Sequence, residues 1–274
     1  MLGTVAAIRA RWDGAANAGA VDHAFAAIAE VQARMSAFAA SSDLGRLHAT
    51  PIGRFVALDR LTHRVMAFAL DLAQASEGVF DIALGGEAAV QGTYPAPATA
   101  AHPIEAVQGA SWRDIELASG GVVLRRPLWV DLGGIAKGFA VDQAMACLKA
   151  AGVAQATVNI GGDLGVFGPE GETVRLRTTA DAPAPEITLC DGALAASGGA
   201  EGWVATRHIT PSRGAHDPRR FACVMAPDAM AADALTKVCL GPRPVDLALL
   251  NRYAATALTW DQAQGWRSHG DSNG

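Results

Sequence analysis

The sequence predicts an α+β fold with a mainly antiparallel sheet flanked by helices. Several segments repeat apolar residues at intervals of three and four, which is the pattern of a helix buried along one side. Short β-type runs separated by glycine turns lie between these segments in groups, which favours a meandering sheet over a doubly wound parallel one. With 274 residues, the chain is long enough for one large domain or two small ones.

The first third of the chain is predicted to contain a strand and two helices. Residues 3–12 have the composition of an opening strand, and residues 18–38 follow as an amphipathic helix. A polar turn is expected over residues 40–48. A second helix with the same spacing covers residues 60–76 and ends at the sequence SEGVFD. The inner positions of the first helix are Val21, Phe25, Ile28, Val31 and Met35.

The middle of the chain is predicted to alternate between hairpins and one helix. Residues 91–103 are rich in proline and small residues and are expected to form an exposed excursion. Two β-type runs meet at Gly120 and Gly121, which is a hairpin signal. A helix is predicted over residues 136–151, and residues 154–168 are expected to form a strand, a glycine turn and a second strand.

The last third is predicted to be short strands followed by one helix. The strands continue to about residue 210, and the sequence FACVM is expected to be a buried strand. A Pro-Asp pair then begins a helix that ends at Gly241. The sequence TALTW is a candidate last strand, and residues 266–274 are expected to be a flexible polar tail.

Composition and charge exclude several classes of function. The net charge of −5 and the pI near 5.8 argue against nucleic-acid binding, because no basic stripe is present. The four cysteines are far apart and are expected to be reduced and buried rather than zinc ligands or redox pairs. No stretch has the pattern of a signal peptide or a membrane span. We therefore expect a cytoplasmic protein, or a periplasmic one if the chain is trimmed.

A glycine-rich stretch at residues 130–144, VDLGGIAKGFAVDQA, stands at a predicted strand-to-helix junction. Glycines at a helix N-terminus are typical of anion binding, yet the spacing fits neither the P-loop nor the dinucleotide fingerprint. A plain helix-entry turn explains the same residues.

Four polar clusters lie at the ends of predicted elements, where loops present side chains to ligands. They cover residues 76–81, 131–137, 159–163 and 228–237. Each also has a structural explanation, because Asp and Asn residues cap helices and strand ends and form turns. Both interpretations remain open at this level.

Taken in order, these segments resemble the ApbE family, the FAD:protein FMN transferases. The sequences VDLGGIAKGFAVDQA and LKAAGVAQATVNIGGDL carry the closest similarity, and MLGT, RMSAFAASSDLGRL, SEGVFDIALG, LAASGG and MAPDAMAADAL follow the same family order. The resemblance runs from residue 1 to about residue 240. It implies a single FAD-binding domain, which we place at residues 1–265.

The resemblance also implies an activity. Family members transfer the FMN half of FAD to a threonine hydroxyl of an acceptor protein and release AMP, with a magnesium ion at the FAD diphosphate. The acceptor threonine lies in a short motif of small and hydroxyl residues. Two alternatives stay open, namely a catalytically weakened FAD-binding or flavin-delivery protein and an FAD diphosphatase that forms FMN and AMP. One apolar helix face is compatible with a homodimer.

The resemblance, together with the departures given below, predicts roles for residues of this chain. Asp233, Lys237 and Lys137 are the predicted catalytic residues, and the carbonyl of Ala136 with Asp233 and Thr236 forms the predicted metal site. The predicted cofactor-binding residues are Met35, Asp81, Gly133, Gly134, Lys137, Asn159, Gly161, Gly162, Asp163, Ser197 and Gly198.

The metal helix departs from the family pattern D-A-x-x-T. Here it reads Asp233-Ala234-Leu235-Thr236-Lys237, with lysine at the fourth position and the hydroxyl at the third. Three explanations are open. Thr236 still reaches the ion, the Lys237 ammonium occupies the cation position itself, or Lys237 extends to solvent beside a degenerate site. A second departure lies in TRHITPSRG, where Arg207 and Thr210 replace a family histidine and aspartate.

Overall fold

The computed structural model describes residues 3–12, 19–92, 95–97, 99–176, 185–198 and 220–270. Eight α-helices lie in these ranges: α1 Gly19–Met35, α2 Asp43–Ala49, α3 Arg60–Ala75, α4 Gly85–Val90, α5 Ile104–Val107, α6 Ala136–Ala150, α7 Ala229–Cys239 and α8 Leu247–Arg252. The twelve strands in the same ranges are β1 Ala6–Arg11, β2 Phe55–Ala57, β3 Ile115–Ala118, β4 Gly121–Leu124, β5 Gln155–Ile160, β6 Asp163–Phe167, β7 Glu172–Arg175, β8 Glu186–Leu189, β9 Gly192–Gly198, β10 Phe221–Ala226, β11 Thr256–Asp261 and β12 Gly265–His269.

The described residues fall into two compact units. The first contains residues 3–29, 137–176, 185–198 and 220–270 within these ranges, and the second contains residues 30–136. The prediction of one domain over residues 1–265 stays a prediction.

The first unit is built on a seven-stranded sheet with the order β1-β5-β6-β9-β10-β11-β12, in which every neighbouring pair is antiparallel. Helix α7 packs against β6, β9 and β10. Buried side chains of these strands form a hydrophobic cluster that includes Leu164, Leu194, Phe221 and Trp260. A separate hairpin pairs β7 with β8.

The second unit contains a three-stranded antiparallel sheet with the order β2-β4-β3, together with α2 to α5. Asp59 begins α3 by accepting a hydrogen bond from the backbone N–H of Leu61 at 2.9 Å. The helix buries Val65, Met66, Ala69 and Leu72 on its apolar side, at the intervals of three and four that an amphipathic helix has.

The fold class is confirmed as a mixed helix and sheet fold with antiparallel pairing. The four long helices, the Gly120–Gly121 hairpin and the strand–turn–strand at residues 155–167 all occur as predicted. The glycine turns explain the hairpins, because chain reversal needs backbone conformations that other residues adopt less readily.

Three expectations about local structure are wrong. The predicted polar turn at residues 40–48 contains α2, which Ser42 caps by accepting from the Gly45 N–H at 2.8 Å. The predicted tail from residue 266 is strand β12 as far as His269, because Trp266 packs edge-on against Phe221. The cysteines were expected to be buried, but Cys190 is exposed and Cys147 is half-buried, and all four are free thiols.

A helix that crosses a membrane needs about 20 mostly apolar residues. In the described ranges, none of the helices is long and apolar enough to cross a bilayer.

Candidate active site

Helices α6 and α7 approach each other closely where the predicted catalytic residues lie. Asp142 of α6 accepts hydrogen bonds from the backbone N–H groups of Ala229 and Met230, at 2.8 and 2.9 Å. Asp228 caps the same end of α7 through the Ala231 N–H. These carboxylates satisfy three of the N–H groups that a helix leaves unpaired at its N-terminus, and so fix the position of α7.

One turn before Asp142, a glycine allows the two helices to touch. A Cβ atom at Gly138 would lie 2.0 Å from the carbonyl oxygen of Ala229 and 2.9 Å from the Cβ of Asp233. The Gly138 N–H also points to Asp233 Oδ2, at 3.3 Å. Any side chain at residue 138 would therefore separate the helices.

Two lysines and two aspartates form a cluster at this contact. Lys137 Nζ donates to Asp163 Oδ2 and lies 3.2 Å from Asp233 Oδ2. Lys237 Nζ donates to Asp233 Oδ1 and, at 3.0 Å, to the Asp233 carbonyl oxygen. The formal charges of the four side chains sum to zero. The structure thus brings together Lys137, Asp163, Asp233 and Lys237, four of the residues that sequence reasoning selected.

Burial and pairing shift the pKa values in this lysine–aspartate cluster in different directions. Burial alone would raise the pKa of Asp233, but the ammonium groups of Lys137 and Lys237 outweigh it and hold that pKa well below its usual range. Burial raises the pKa of Asp163, and the nearby charge of Asp233 adds to this effect. The pKa of Lys237 is lowered by burial, which Asp233 only partly offsets.

The Thr236 hydroxyl is hydrogen-bonded to the helix backbone and to β9. It donates to the Asp233 carbonyl oxygen at 2.7 Å and lies 2.8 Å from the Ser197 hydroxyl of β9. Both side chains are buried. This hydrogen bond joins α7 to β9, and Ser197 is thereby placed beside the same helix as the lysine–aspartate cluster.

The turn between β5 and β6 presents Asp163 to the cluster. Gly161 and Gly162 have φ values of +60° and +99°, in the left-handed region that glycine adopts without strain. Asn159 accepts from the Gly162 N–H at 3.0 Å. Asp163 then opens β6, paired with Ile160. Asn159 therefore stabilises this turn, which is one of the two interpretations that the sequence leaves open for it, and the turn also positions a buried carboxylate.

Gly198, the last predicted cofactor residue of the first unit, ends β9. Its φ is +127°, and an added Cβ would lie 2.4 Å from the carbonyl oxygen of Arg220. A close backbone approach to β10 therefore explains this glycine.

The remaining predicted residues lie in the second unit. Met35 ends α1 and is buried. Asp81 accepts hydrogen bonds from the N–H groups of Ala83 at 2.8 Å and Trp112 at 3.1 Å, and burial raises its pKa to about 6.

Gly133 donates its N–H to Asp131 at 2.7 Å, and Gly134 follows in the same turn. Ala136 begins α6 and donates its N–H to the Leu132 carbonyl at 2.8 Å. Arg207 and Thr210 lie outside the described residues.

Sequence reasoning assigned no role to Asp142 or Gly138, which position α7 against α6. Both belong to the quoted stretch VDLGGIAKGFAVDQA. The signal that could have identified Asp142 is its place one helical turn beyond Gly138, on the same face of α6.

A cavity of about 540 Å³ lies elsewhere in the first unit, near β11 and β12. Its lining includes Arg220, Arg243, Asp261 and Arg267. None of the predicted site residues lines it.

The residues expected to bind magnesium do not fit that ion as they are arranged. Both carboxylate oxygens of Asp233 already face ammonium groups, and the Thr236 hydroxyl is hydrogen-bonded to Ser197 and the helix backbone. Within the described ranges, no group of three or more His, Cys, Asp or Glu side chains is arranged to hold a metal. Mg²⁺ prefers an octahedron of oxygens and would be repelled by two adjacent cations.

The chain has the fold of solved flavin transferases. The flavin transferase ApbE from Vibrio cholerae superimposes with a TM-score of 0.82 at 22% identity, with 98% of this chain and 94% of that chain covered. The apo form of the Pseudomonas stutzeri flavinyl transferase ApbE gives 0.80 at 22% identity, with coverage of 96% and 89%.

The sequence itself identifies the family. Residues 2–258 match the ApbE family, and the chain therefore belongs to that family. A curated FAD:protein FMN transferase from Rhodobacter capsulatus is 38% identical over 108 residues, which are 37% of this chain. The match spans 21% of the length of that relative.

Proposed function

We propose that this protein is an FAD:protein FMN transferase that attaches FMN to a threonine of an acceptor protein and releases AMP. The observation that carries the proposal is the lysine–aspartate cluster, to which α6 and β6 contribute one charged side chain each and α7 contributes two. Membership of the ApbE family and the activity for which the Rhodobacter capsulatus relative is named support it.

The reaction is a transfer of the FMN phosphoryl group. The acceptor hydroxyl oxygen forms a bond to the FMN phosphorus, and the bond from that phosphorus to the bridging oxygen of the diphosphate breaks. The electron pair stays on the bridging oxygen, which leaves as part of AMP, and the hydroxyl proton passes to water. Such a transfer depends on holding the reacting atoms in line and on cations that neutralise the phosphate oxygens.

The lysine–aspartate cluster supplies the fixed cations that this chemistry requires. Each ammonium group has three donors, and contacts to described residues occupy two donors of Lys137 and two of Lys237. We assign the third donor of each to a phosphate oxygen of FAD. Asp163 and Asp233 hold the two ammonium groups in place.

We assign the turn between β5 and β6 and the end of β9, both in the same unit, to binding the flavin part of FAD. Asn159, Gly161 and Gly162 form the turn that precedes Asp163, and Ser197 and Gly198 end β9 beside α7. We propose that the glycine backbone lies against the cofactor, where side chains are missing. The roles of Met35, Asp81, Gly133, Gly134 and Ala136 stay predictions.

The test is incubation of the purified protein with FAD and a synthetic peptide in which one threonine is flanked by Ser, Gly and Ala. Mass spectrometry of the peptide and chromatography of AMP are the readouts. We expect an FMN adduct and an equal amount of AMP. A peptide with valine in place of the threonine should give no adduct, since valine has the same shape without the hydroxyl.

Two variants connect the activity to the lysine–aspartate cluster. Lys137→Met removes one ammonium and should lower the rate of AMP release about 100-fold. Lys149→Met removes the exposed lysine near the end of α6 and should leave the rate unchanged. AMP and free FMN without an adduct would instead identify an FAD diphosphatase, and bound but intact FAD would identify a flavin-delivery protein.

A further inference from the structure

We propose that Lys237 takes the place of a divalent cation beside Asp233, so that FAD turnover by this protein needs no added metal. The turnover part of this inference rests on the proposed function, whereas the part concerning metal binding does not. It decides between the three explanations that the sequence leaves open for Lys237.

Asp233 is the carboxylate that a metal would need. Asp233 has no exposed surface, and its Oδ1 accepts from Lys237 while its Oδ2 faces Lys137 and the Gly138 N–H. A buried carboxylate with both oxygens paired to cations is already neutralised. A divalent ion could bind only by displacing an ammonium group.

Lys237 is held beside Asp233. It lies four residues after Asp233 on α7, which places both side chains on one face of the helix. Only 11% of its side chain is exposed, so Lys237 does not extend into solvent. The contacts to Asp233 Oδ1 and to the Asp233 carbonyl hold the ammonium at a fixed point, as a coordinated ion would be held.

Thr236 is the other side chain that is predicted to bind a metal. Its hydroxyl donates to the Asp233 carbonyl and contacts Ser197. Both of these contacts hold the Thr236 hydroxyl in place. The hydroxyl at the third position therefore has a structural role, which leaves the ammonium at the fourth position as the cation.

The composition of the chain is consistent with this assignment. The sequence has three lysines, Lys137, Lys149 and Lys237, and two of them are in the cluster. An ammonium is a compact point charge and can occupy the position of a small ion, whereas a guanidinium is planar and larger.

The first experiment measures metal binding without FAD. Protein treated with EDTA is titrated with MnCl₂, and bound Mn²⁺ is measured by electron paramagnetic resonance. We expect the wild-type protein to bind no Mn²⁺ at Mn²⁺ concentrations below about 1 mM. The variant Lys237→Thr should bind about one equivalent, because the substitution removes the ammonium from Asp233 and adds an oxygen ligand. Binding by the wild type that Asp233→Asn abolishes would overturn the inference, as would no binding by Lys237→Thr.

The second experiment measures AMP release from FAD in EDTA and in excess MgCl₂. The wild-type rates should agree within about twofold, and the rate of Lys237→Thr in EDTA should be about 100-fold lower and recover when MgCl₂ is added. Lys149→Thr is the matched control and should behave as the wild type in both buffers. A wild-type rate that depends on MgCl₂ would overturn the inference.

The two experiments separate the inference from the proposed function. If the wild type releases no AMP in either buffer, the proposed function fails, and the Mn²⁺ titration still decides whether Lys237 excludes a metal. Should Lys237→Thr fail to fold by circular dichroism, the wild-type titration still tests the inference. Lys237→Gln would then take its place in the EDTA assay, with the same loss expected.

Discussion

Gly138 of α6 lies so close to Ala229 of α7 that an added Cβ would be 2.0 Å from the Ala229 carbonyl oxygen. Gly138→Ala should therefore force the helices apart and lower the free energy of unfolding by about 2 kcal/mol or more. Urea unfolding measures this loss. The control Ala146→Ser also adds one heavy atom to α6, but at an exposed position, and should change stability by less than about 0.5 kcal/mol. Equal effects of the two substitutions would contradict the close contact.

Asp163 positions the Lys137 ammonium, and Asp163→Asn tests that role. The substitution removes one negative charge, so the cluster gains a net positive charge while Lys137 keeps only Asp233 as an ionic partner. We expect kcat for AMP release to fall at least about tenfold, because the Lys137 ammonium is less well oriented. The Kd for FAD should not rise, because the added positive charge favours binding of the diphosphate. Steady-state kinetics and a fluorescence titration with FAD give the two quantities.

Asp22 is exposed on α1, and Asp22→Asn removes the same charge without touching the cluster. Both quantities should match those of the wild type. A normal kcat in Asp163→Asn would show that Asp163 has no positioning role.

His48 should make the second unit sensitive to acid. Its Nε2 accepts a hydrogen bond from the Val130 N–H at 2.8 Å, and burial lowers its pKa to about 4. Between pH 6.5 and pH 4 the unfolded chain binds a proton that folded His48 does not, so the free energy of unfolding falls as the pH falls. From pH 7 to pH 4.5 this residue should account for a loss of about 2 to 3 kcal/mol.

Substitution by glutamine isolates this contribution. His48→Gln keeps an acceptor for the Val130 N–H but does not titrate, so unfolding by urea at the two pH values should differ less than in the wild type. His23→Gln, at an exposed position of α1, should keep the wild-type difference. An unchanged pH dependence in His48→Gln would rule out the buried histidine as its cause.

Strand β12 should be required for the stability of the seven-stranded sheet. It pairs with β11, and the rings of Trp266 and Phe221 meet edge-on at 5.7 Å between centroids. Deletion of residues 265–274 should lower the free energy of unfolding by more than about 2 kcal/mol. Deletion of residues 271–274 alone leaves β12 intact and is the control. Thermal unfolding compares the two, and equal melting temperatures would show that β12 adds no stability.

The elements that could be predicted from the sequence are those long enough for their apolar residues to repeat several times at a regular interval. Helix α3 has six buried residues between Thr62 and Ala73, over about three turns at 3.6 residues per turn, which distinguishes a helix from a strand. Helix α2 has seven residues, so its two buried leucines, Leu44 and Leu47, do not establish a period. Its start was nevertheless encoded by Ser42, a typical N-cap residue.

Strand β12 was missed for a different reason. Its sequence, GWRSH, has one large apolar residue, and the strand is stabilised by β11 and Phe221 rather than by its own composition. Strand propensity depends on such neighbours, which a sequence pattern does not show.

The charged residues of the candidate site were selected by the family resemblance, but their pairing was not. Lys137 and Asp163 are separated by 26 residues, and Lys137 and Asp233 by 96. Only the contact of α6 with α7 and the turn before β6 bring them together. The sequence alone left three explanations for Lys237, and its contacts with Asp233 are what favour one of them.

The sharing of Asp233 between two lysines also has an evolutionary consequence. Each oxygen of the carboxylate serves a different ammonium, so a substitution at residue 137, 163, 233 or 237 alters the charge balance of the other three. These four positions should therefore show strong epistasis and change in concert among related proteins. A relative that lacks the lysine at position 237 should carry its compensation within the same four positions or in a bound ion.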